Sequence, residues 1–350
     1  MTEPHRGKKR MEIGFLMDDL RQITPKWETT SQIMYECNER GHSVFFLQPH
    51  DLYVRKNHVV GRMRNITVPR GLGLDLYWQA LLHCLDQEEL IFETVTDLDV
   101  LFLRKDPPLN YEAMAFLGPV SDNIFMVNAP TGMINGNSKA YILNFPDIIP
   151  ETHVSRDPSR LRRIIDDFGG DMVIKPLHGH GGHGVIKVSN REQENLNSLI
   201  NYYVQASLPY PERRPIMVQE YLKTVKDEGD VRILLLNGEV VGAMGRRSVS
   251  GDFRTNIHAG AEAFKHEITP AQKEICRRIR PRLIKDGLYF VGIDIIGDKL
   301  VEINCVSPGG VPRINQFDRV NIESEVVDFI EERIIALKHQ KEGLPELETD

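Results

Sequence analysis

Cysteine is scarce in this chain: Cys37, Cys84, Cys276 and Cys305 are the only four in 350 residues, and no two form a CxxC pair. That spacing argues against a zinc site and against a disulfide framework, and it fits free thiols in a reducing cytoplasm. Long apolar runs are missing too. None approaches the roughly 20 residues needed to span a bilayer, so no membrane partner is expected. The opening stretch, MTEPHRGKKR, lacks the apolar core of a secretory signal, and residues 1–10 read as a flexible tail. Positive charge is in deficit, with 43 Lys and Arg against 50 Asp and Glu and a net charge of −7. General nucleic-acid binding is thereby disfavoured, and any anionic ligand must be met by a local basic site. Two phosphate signatures are also missing from their usual contexts. No GxGxxG follows the first apolar run, and no GK[ST] closes the glycine-rich stretch at 178–184.

What is present is the composition of an ordinary enzyme, 41% hydrophobic and 27% charged, with chain enough for two or three cores. Residues 11–17 and 43–47 read as strands flanking a helix over 27–40 that Gly41 stops. This β-α-β pattern predicts an α/β fold with a parallel sheet. Short strands follow over 52–68, then buried strands over 98–104 and 124–127. Arg104, Lys105 and Asp106 end the first of these ahead of two prolines, where open α/β sheets bind ligands; an ion-paired strand exit is the plainer alternative. A helix over 135–144 carries Lys139, which by itself reads as a surface lysine.

Beyond Pro150 the texture changes. A helix over 158–168, capped by Asp157 or Ser155, ends at Gly169-Gly170. A strand over 172–176 then enters His178-Gly179-His180-Gly181-Gly182-His183-Gly184, and a strand over 185–188 leaves it. Backbone N–H groups of such a turn can cradle phosphate, with Lys175 adding a point charge; a merely flexible turn is the alternative. The three histidines lack the register that would fix a tetrahedral metal site. A helix over 190–205 and a surface loop lead to a strand over 216–219 and to Glu220, Tyr221 and Leu222, an edge that suits an adenine ring. Strands over 230–236 and 239–246 meet at Asn237-Gly238, a hairpin signal. Arg232, Arg246, Arg247 and Arg254 cluster there with Asn256, either as forks for carboxylates and phosphates or as a solvated loop. Helices over 269–285 and 321–337 complete the pattern.

The densest stretch is 288–313, LYFVGIDIIGDKLVEINCVSPGGVPR. It predicts strands over 288–296 and 299–304 joined by a Gly297-Asp298 turn. Glu302 and Asn304 then share a face, about 7 Å apart, and the hairpin brings Asp294 beside them. Two carboxylates and an amide amid Ile, Val and Leu are costly to bury without partners. Mg²⁺ carrying nucleotide phosphates would meet that cost, and solvated carboxylates are the alternative.

The order of these pieces is specific. RKDPP, IKP-(x)-HGHGG, DxR, RxN and VGIDIIGDKLVEIN-x-x-SP resemble the bacterial-type glutathione synthetase family of the ATP-grasp superfamily, across most of the chain from Met11. The resemblance implies an N-terminal pre-ATP-grasp α/β domain over 11–133, a mobile lid subdomain over 134–222, a C-terminal catalytic subdomain over 223–340 and a disordered tail over 341–350. It implies an ATP-dependent carboxylate–amine ligase working through an acyl phosphate, with a γ-glutamylcysteine-like donor and a glycine-like acceptor. Lys139, Lys175, Gly179, Gly181, Gly182, Gln219, Glu220, Tyr221 and Leu222 match ATP-binding positions. Asp294, Glu302 and Asn304 match the ligands of Mg²⁺, with Mn²⁺ as a substitute. Arg232, Arg246, Arg254 and Asn256 match catalytic positions, and Arg232, Arg254 and Ser307 match substrate-binding ones. Cys305 is a bystander. A cytoplasmic homotetramer or other homo-oligomer is implied as well. His178, Gly260-Ala261 and the GGVPR run depart from the family pattern near the lid and acceptor, so a sister ligase with a different donor or amino acid is the alternative.

Overall fold

The computed structural model describes residues 10–87, 90–189, 193–249 and 260–342. The chain divides into two compact units. The first runs through Ile134 and takes in Arg282–Val291 and the chain from Val306 onward. Its strands are β1 (Glu12–Leu16), β2 (Ser43–Leu47), β3 (Leu52–Arg55), β4 (His58–Ile66), β5 (Ile91–Thr94), β6 (Val100–Leu103) and β7 (Phe125–Val127). They lie in the order β3-β4-β2-β1-β6-β7, with β5 on β4. The β2-β1-β6-β7 block is parallel. Every residue of β2, β6 and β7 is buried, as a sheet covered on both faces requires.

Helix α1 (Thr29–Glu39) starts where Glu28 accepts a hydrogen bond from Ser31 N, and the chain turns at Gly41 with φ +85°. Helices α2 (Leu74–Gln87) and α3 (Tyr111–Leu117) were not expected from the sequence; α4 is Pro130–Gly136.

The second unit, Asn135–Pro281 with Gly292–Cys305, begins with a correction. The helix expected over 135–144 does not form. After α4 ends at Gly136, Ser138 caps a separate 3-10 turn, Lys139–Asn144, by accepting from Ala140 N. Strands β8 (Thr152–Ser155), β9 (Asp171–Pro176), β10 (Ile186–Ser189) and β11 (Ile216–Glu220) form an antiparallel sheet in the order β10-β9-β11-β8. Helices α5 (Pro158–Phe168) and α6 (Gln193–Val204) cover one face. Met172, Ile174, Ile216 and Val218 point into that core. Strand alternation therefore turns Val173, Lys175, Met217 and Gln219 the other way. Burying each core side chain contributes about 1.5–3 kcal/mol, so the hydrophobic pattern fixes which face carries Lys175.

After α7 (Val225–Glu228) come β12 (Asp230–Leu236), β13 (Glu239–Arg247), β14 (Glu262–Lys265), α8 (Pro270–Lys285), β15 (Phe290–Ile296) and β16 (Lys299–Asn304). The sheet order is β14-β13-β12-β15-β16. Asn237 (φ +50°) and Gly238 (φ +77°) make the expected hairpin turn. Strand β15 starts at Phe290, not 288, because Leu288 N donates back to Leu283 O and closes α8.

The chain then returns to the first unit, where α9 (Val311–Asp318) and α10 (Ile322–Glu342) lie. The expected 223–340 unit is thus divided. Charge chemistry accounts for this: the buried Arg40 side chain donates to Asp328 (2.6 Å), Glu331 (3.3 Å) and Ser324, and His42 meets Glu331 at 3.0 Å. Leaving those groups unpaired would be costly. The GGVPR run is the start of α9, with Gly310 as its N-cap. Among the described residues, no helix is long and apolar enough to cross a membrane.

Candidate functional site

A cleft in the second unit gathers Lys139, Lys175, Gly182, Gln219, Glu220, Tyr221, Leu222, Asp230, Asp294 and Glu302 around the apolar Val173, Val185, Ile296 and Val301. Most of the expected nucleotide and metal residues are brought together here.

The hairpin of β15 and β16 sets Asp294 opposite Glu302. Asn304 Nδ2 donates to Asp294 Oδ2 at 3.2 Å. The burial cost expected to call for a cation is already offset by arginines. Arg232 binds Asp294 through Nε (2.5 Å) and Nη2 (2.9 Å). Arg246 binds Asp230 through Nε (2.9 Å) and Nη2 (2.5 Å), and its Nη2 also reaches Asp294 at 2.9 Å. Two buried guanidiniums thus face two buried carboxylates, a quartet of opposite charges among the described residues. Asp230 and Arg246 are cross-strand partners, and Gly292 clears the path of Arg232, since a Cβ there would sit 3.0 Å from Arg232 Cδ. Burial alone would raise the Asp294 carboxyl, but Arg232 and Arg246 hold it well below the usual carboxylate range. Burial would lower Arg246, and Asp294 and Asp230 together raise it.

Arg232 and Arg246, expected at catalytic and substrate-binding positions, both lie at this site. Their described carboxylate partners are the protein's own. Arg254 and Asn256 fall outside the described residues. Ser307, with φ +46°, belongs to the first unit.

The two lysines differ. Lys139 Nζ donates to Gly179 O at 2.9 Å and is ion-paired with Glu302, while its backbone N–H donates to Leu177 O at 2.8 Å. Lys175 Nζ instead donates to the neutral Gln219 Oε1 at 2.6 Å. Gln219, expected at the adenine edge, therefore serves Lys175 with its side chain. Burial pushes the Lys175 ammonium down to about 8, with Lys139 adding to the shift and Glu302 opposing it. Of the four cations described here, Lys175 is the one with no carboxylate among its described hydrogen-bond partners.

Glycines at 181, 182 and 184 have φ of +61°, +74° and +70°, conformations that favour glycine, and they turn the loop between β9 and β10. His180 and His183 meet edge to face with ring centroids 6.1 Å apart, a packing contact. Among the described residues, no group of three or more His, Cys, Asp or Glu could hold a metal. The hard oxygen donors that remain are Asp294, Glu302 and Asn304 Oδ1, and that amide oxygen has no hydrogen-bond partner among the described residues. Two carboxylates and an unengaged amide oxygen on one sheet face suit Mg²⁺. Cys305 is buried, which pushes its thiol up to about 12 and fits a bystander.

Sequence reasoning passed over Asp230, although the DxR spacing puts Asp230 and Arg232 on one strand face.

The chain was compared with known proteins. Residues 11–133 match the family model "Prokaryotic glutathione synthetase, N-terminal domain", and residues 138–319 match "Prokaryotic glutathione synthetase, ATP-grasp domain". The chain is 37% identical over 332 residues to a glutathione synthetase of Gloeobacter violaceus, covering 92% of this chain and 97% of that protein. It is 35% identical over 326 residues to one of Brucella melitensis, covering 92% and 99%. Among solved structures, D-cycloserine synthetase DcsG aligns with a TM-score of 0.61 at 12% identity, over 91% of this chain and 99% of that one. ATP-grasp ligase PsnB aligns at 0.59 and 17%, over 92% and 98%. At these identities the structures speak for the fold alone.

Proposed function

The chain belongs to the prokaryotic glutathione synthetase family and is an ATP-grasp ligase, and from that premise we propose that it joins γ-glutamylcysteine to glycine through an acyl phosphate. The observation that carries this reading is the single cleft in which two lysines, a glycine-rich turn and the Asp294–Glu302–Asn304 face converge.

A carboxylate is a poor electrophile until phosphorylated. The donor's C-terminal carboxylate oxygen takes the γ-phosphoryl group of ATP, and ADP leaves with the electron pair of the broken P–O bond. The uncharged amine of glycine attacks the acyl carbon, the C–O bond to phosphate breaks, and phosphate leaves as the amine gives up a proton. Both steps build negative charge, which fixed cations and dipoles stabilise.

Lys175 and Lys139 take phosphate oxygens, Lys139 exchanging Glu302 for them. The loop at Gly179, Gly181 and Gly182 offers backbone N–H groups, and Glu220, Tyr221 and Leu222 border the base. Arg232 and Arg246 act by holding Asp294 ionised and Asp230 in place. Asp294, Glu302 and Asn304 would hold Mg²⁺, or Mn²⁺ in its place, which when bound neutralises phosphate charge. Roles for Arg254, Asn256 and Ser307 in holding substrate rest on the family resemblance, as do a homo-oligomer, a tetramer by that resemblance, and a cytoplasmic setting.

The test is ADP release from the purified protein with Mg-ATP, γ-glutamylcysteine and each amino acid in turn. Release with glycine and a product of glutathione mass is expected. Release only with another amino acid would move the activity to a sister ligase, and none with any acceptor would put the donor in question. Glu302→Ala should abolish turnover with the circular-dichroism spectrum unchanged; retained magnesium-dependent turnover would sink the metal assignment.

A further inference from the structure

Thr152, on β8, has no assigned role, yet it begins a partly buried chain of hydrogen bonds that ends on Lys175. The direction of every bond in that chain is determined. The Pro150 carbonyl can only accept, so Thr152 Oγ1 donates its one hydrogen there, at 2.7 Å. Oγ1 can then only accept from its neighbour, Gln219 Nε2, at 2.8 Å. This fixes the Gln219 amide with Oε1 turned to Lys175 Nζ at 2.6 Å. Gln219 is 1% exposed, so its amide depends on these two partners. The sheet register supports the path: Thr152 is the cross-strand partner of Gln219 on β11, and Lys175 lies diagonally across, paired with Met217.

We infer that Thr152 is a positioning residue for the Lys175 ammonium, acting through Gln219. Without the hydroxyl, Nε2 loses its acceptor, and the donor-only ammonium is the one partner left to hold the amide. An amide that turns to find another acceptor for Nε2 withdraws Oε1 from the ammonium. The inference rests on the proposed role of Lys175 on nucleotide phosphates, and its test separates the two.

Affinity for ADP in the presence of Mg²⁺ is measured by calorimetry for the wild-type protein, Thr152→Val, Thr152→Ser, Lys175→Met and the Thr152→Val/Lys175→Met double variant. Lys175→Met should bind ADP at least tenfold more weakly, on the order of a lost charge-assisted bond. Wild-type affinity in that variant would overturn the phosphate role itself and this inference with it. Thr152→Val keeps the shape and loses the hydroxyl, and should weaken binding by about tenfold. Thr152→Ser keeps the hydroxyl and should restore it. The decisive comparison is the double variant: acting through Lys175, Thr152→Val adds no further loss once the ammonium is gone. An equal loss in both backgrounds, or wild-type affinity in Thr152→Val alone, would overturn the positioning role. Should Thr152→Val fail to fold, Thr152→Ala takes its place in the same cycle.

Discussion

Arg104, just after β6 in the first unit, and Arg246, on β13 in the second, are both buried arginines, and their surroundings drive them in opposite directions. Among the described residues, Arg104 has no carboxylate in contact. Its Nε donates to Thr30 Oγ1 (2.9 Å) and its Nη2 to Pro308 O (3.1 Å), while its guanidinium carbon lies 5.7 Å from the Phe290 ring centroid. Burial lowers its pKa, against weaker opposing fields from Glu28 and Asp106. Arg246 is equally buried, but Asp294 and Asp230 raise it. The same side chain at the same depth is thus a strut in one place and part of a charge-balanced site in the other. Burial of a charge does not mark function; the set of counter-charges around it does.

Removing one member of the quartet should give the largest effect. Arg246→Met takes from the buried Asp230 and Asp294 the guanidinium that bridges them. Urea unfolding should show a loss of about 3–5 kcal/mol, as for other broken buried pairs, and turnover should vanish. A loss below about 1 kcal/mol would mean that the quartet is not a coupled unit and would dissolve the contrast with Arg104.

This contrast also marks the limit of what the sequence could reveal. The hairpin of β15 and β16, the Lys175 strand and the glycine turn were legible because strand alternation and turn chemistry are local. The charge state of the site was not. Asp294, Glu302 and Asn304 read as an unbalanced acidic face calling for a cation. Its balance comes from Arg232 and Arg246, which are remote in sequence and reach it only once the sheet order is set. The exit of β6 divides: Lys105 makes the ion pair read there as the plainer alternative, with Asp18 at 3.1 Å, while Arg104 meets a hydroxyl and a carbonyl. The division of 223–340 was illegible for a similar reason. The contacts of α10 with Arg40 and His42 span nearly 300 positions, and no local pattern announces them.

A smaller effect should come from Lys175, the cation in the cleft with no carboxylate among its described hydrogen-bond partners. Its folded pKa of about 8 lies below the roughly 10.4 of an unfolded lysine. The unfolded chain binds the extra proton between those values, so this group makes stability rise with pH across that window. Nucleotide affinity should move oppositely. Phosphates favour the ammonium, so binding should be level below about pH 8 and fall by up to tenfold per unit above it. Glu302 and Asp294 favour the charged form and Lys139 opposes it, so Glu302→Gln should shift the break to lower pH. An affinity flat from pH 7 to roughly pH 10 would show that Lys175 stays charged throughout and that its burial is relieved by something other than the described residues.

The smallest effect is expected at Arg104, and it tests the contrast from the other side. Arg104→Met removes a buried charge that has no described carboxylate partner, and methionine can fill much of the same volume against Phe290. Thr30 Oγ1 keeps its bond to Glu28 Oε1 at 2.9 Å, so the one acceptor left unpaired is Pro308 O. An unsatisfied buried carbonyl costs about 1–3 kcal/mol. Against that stands the relief of a desolvated guanidinium, which is worth several kcal/mol in the same direction as replacing buried ions by apolar groups. The two oppose each other, and the net change in urea unfolding should stay within about 2 kcal/mol of zero, well short of the loss at Arg246. A loss as large as that of Arg246→Met would mean that Arg104 is held by more than its two neutral acceptors. Pairing the variant with Glu28→Gln would then locate the cause: Glu28 is the larger of the two fields raising Arg104, and non-additivity between the two substitutions would identify it as the hidden counter-charge.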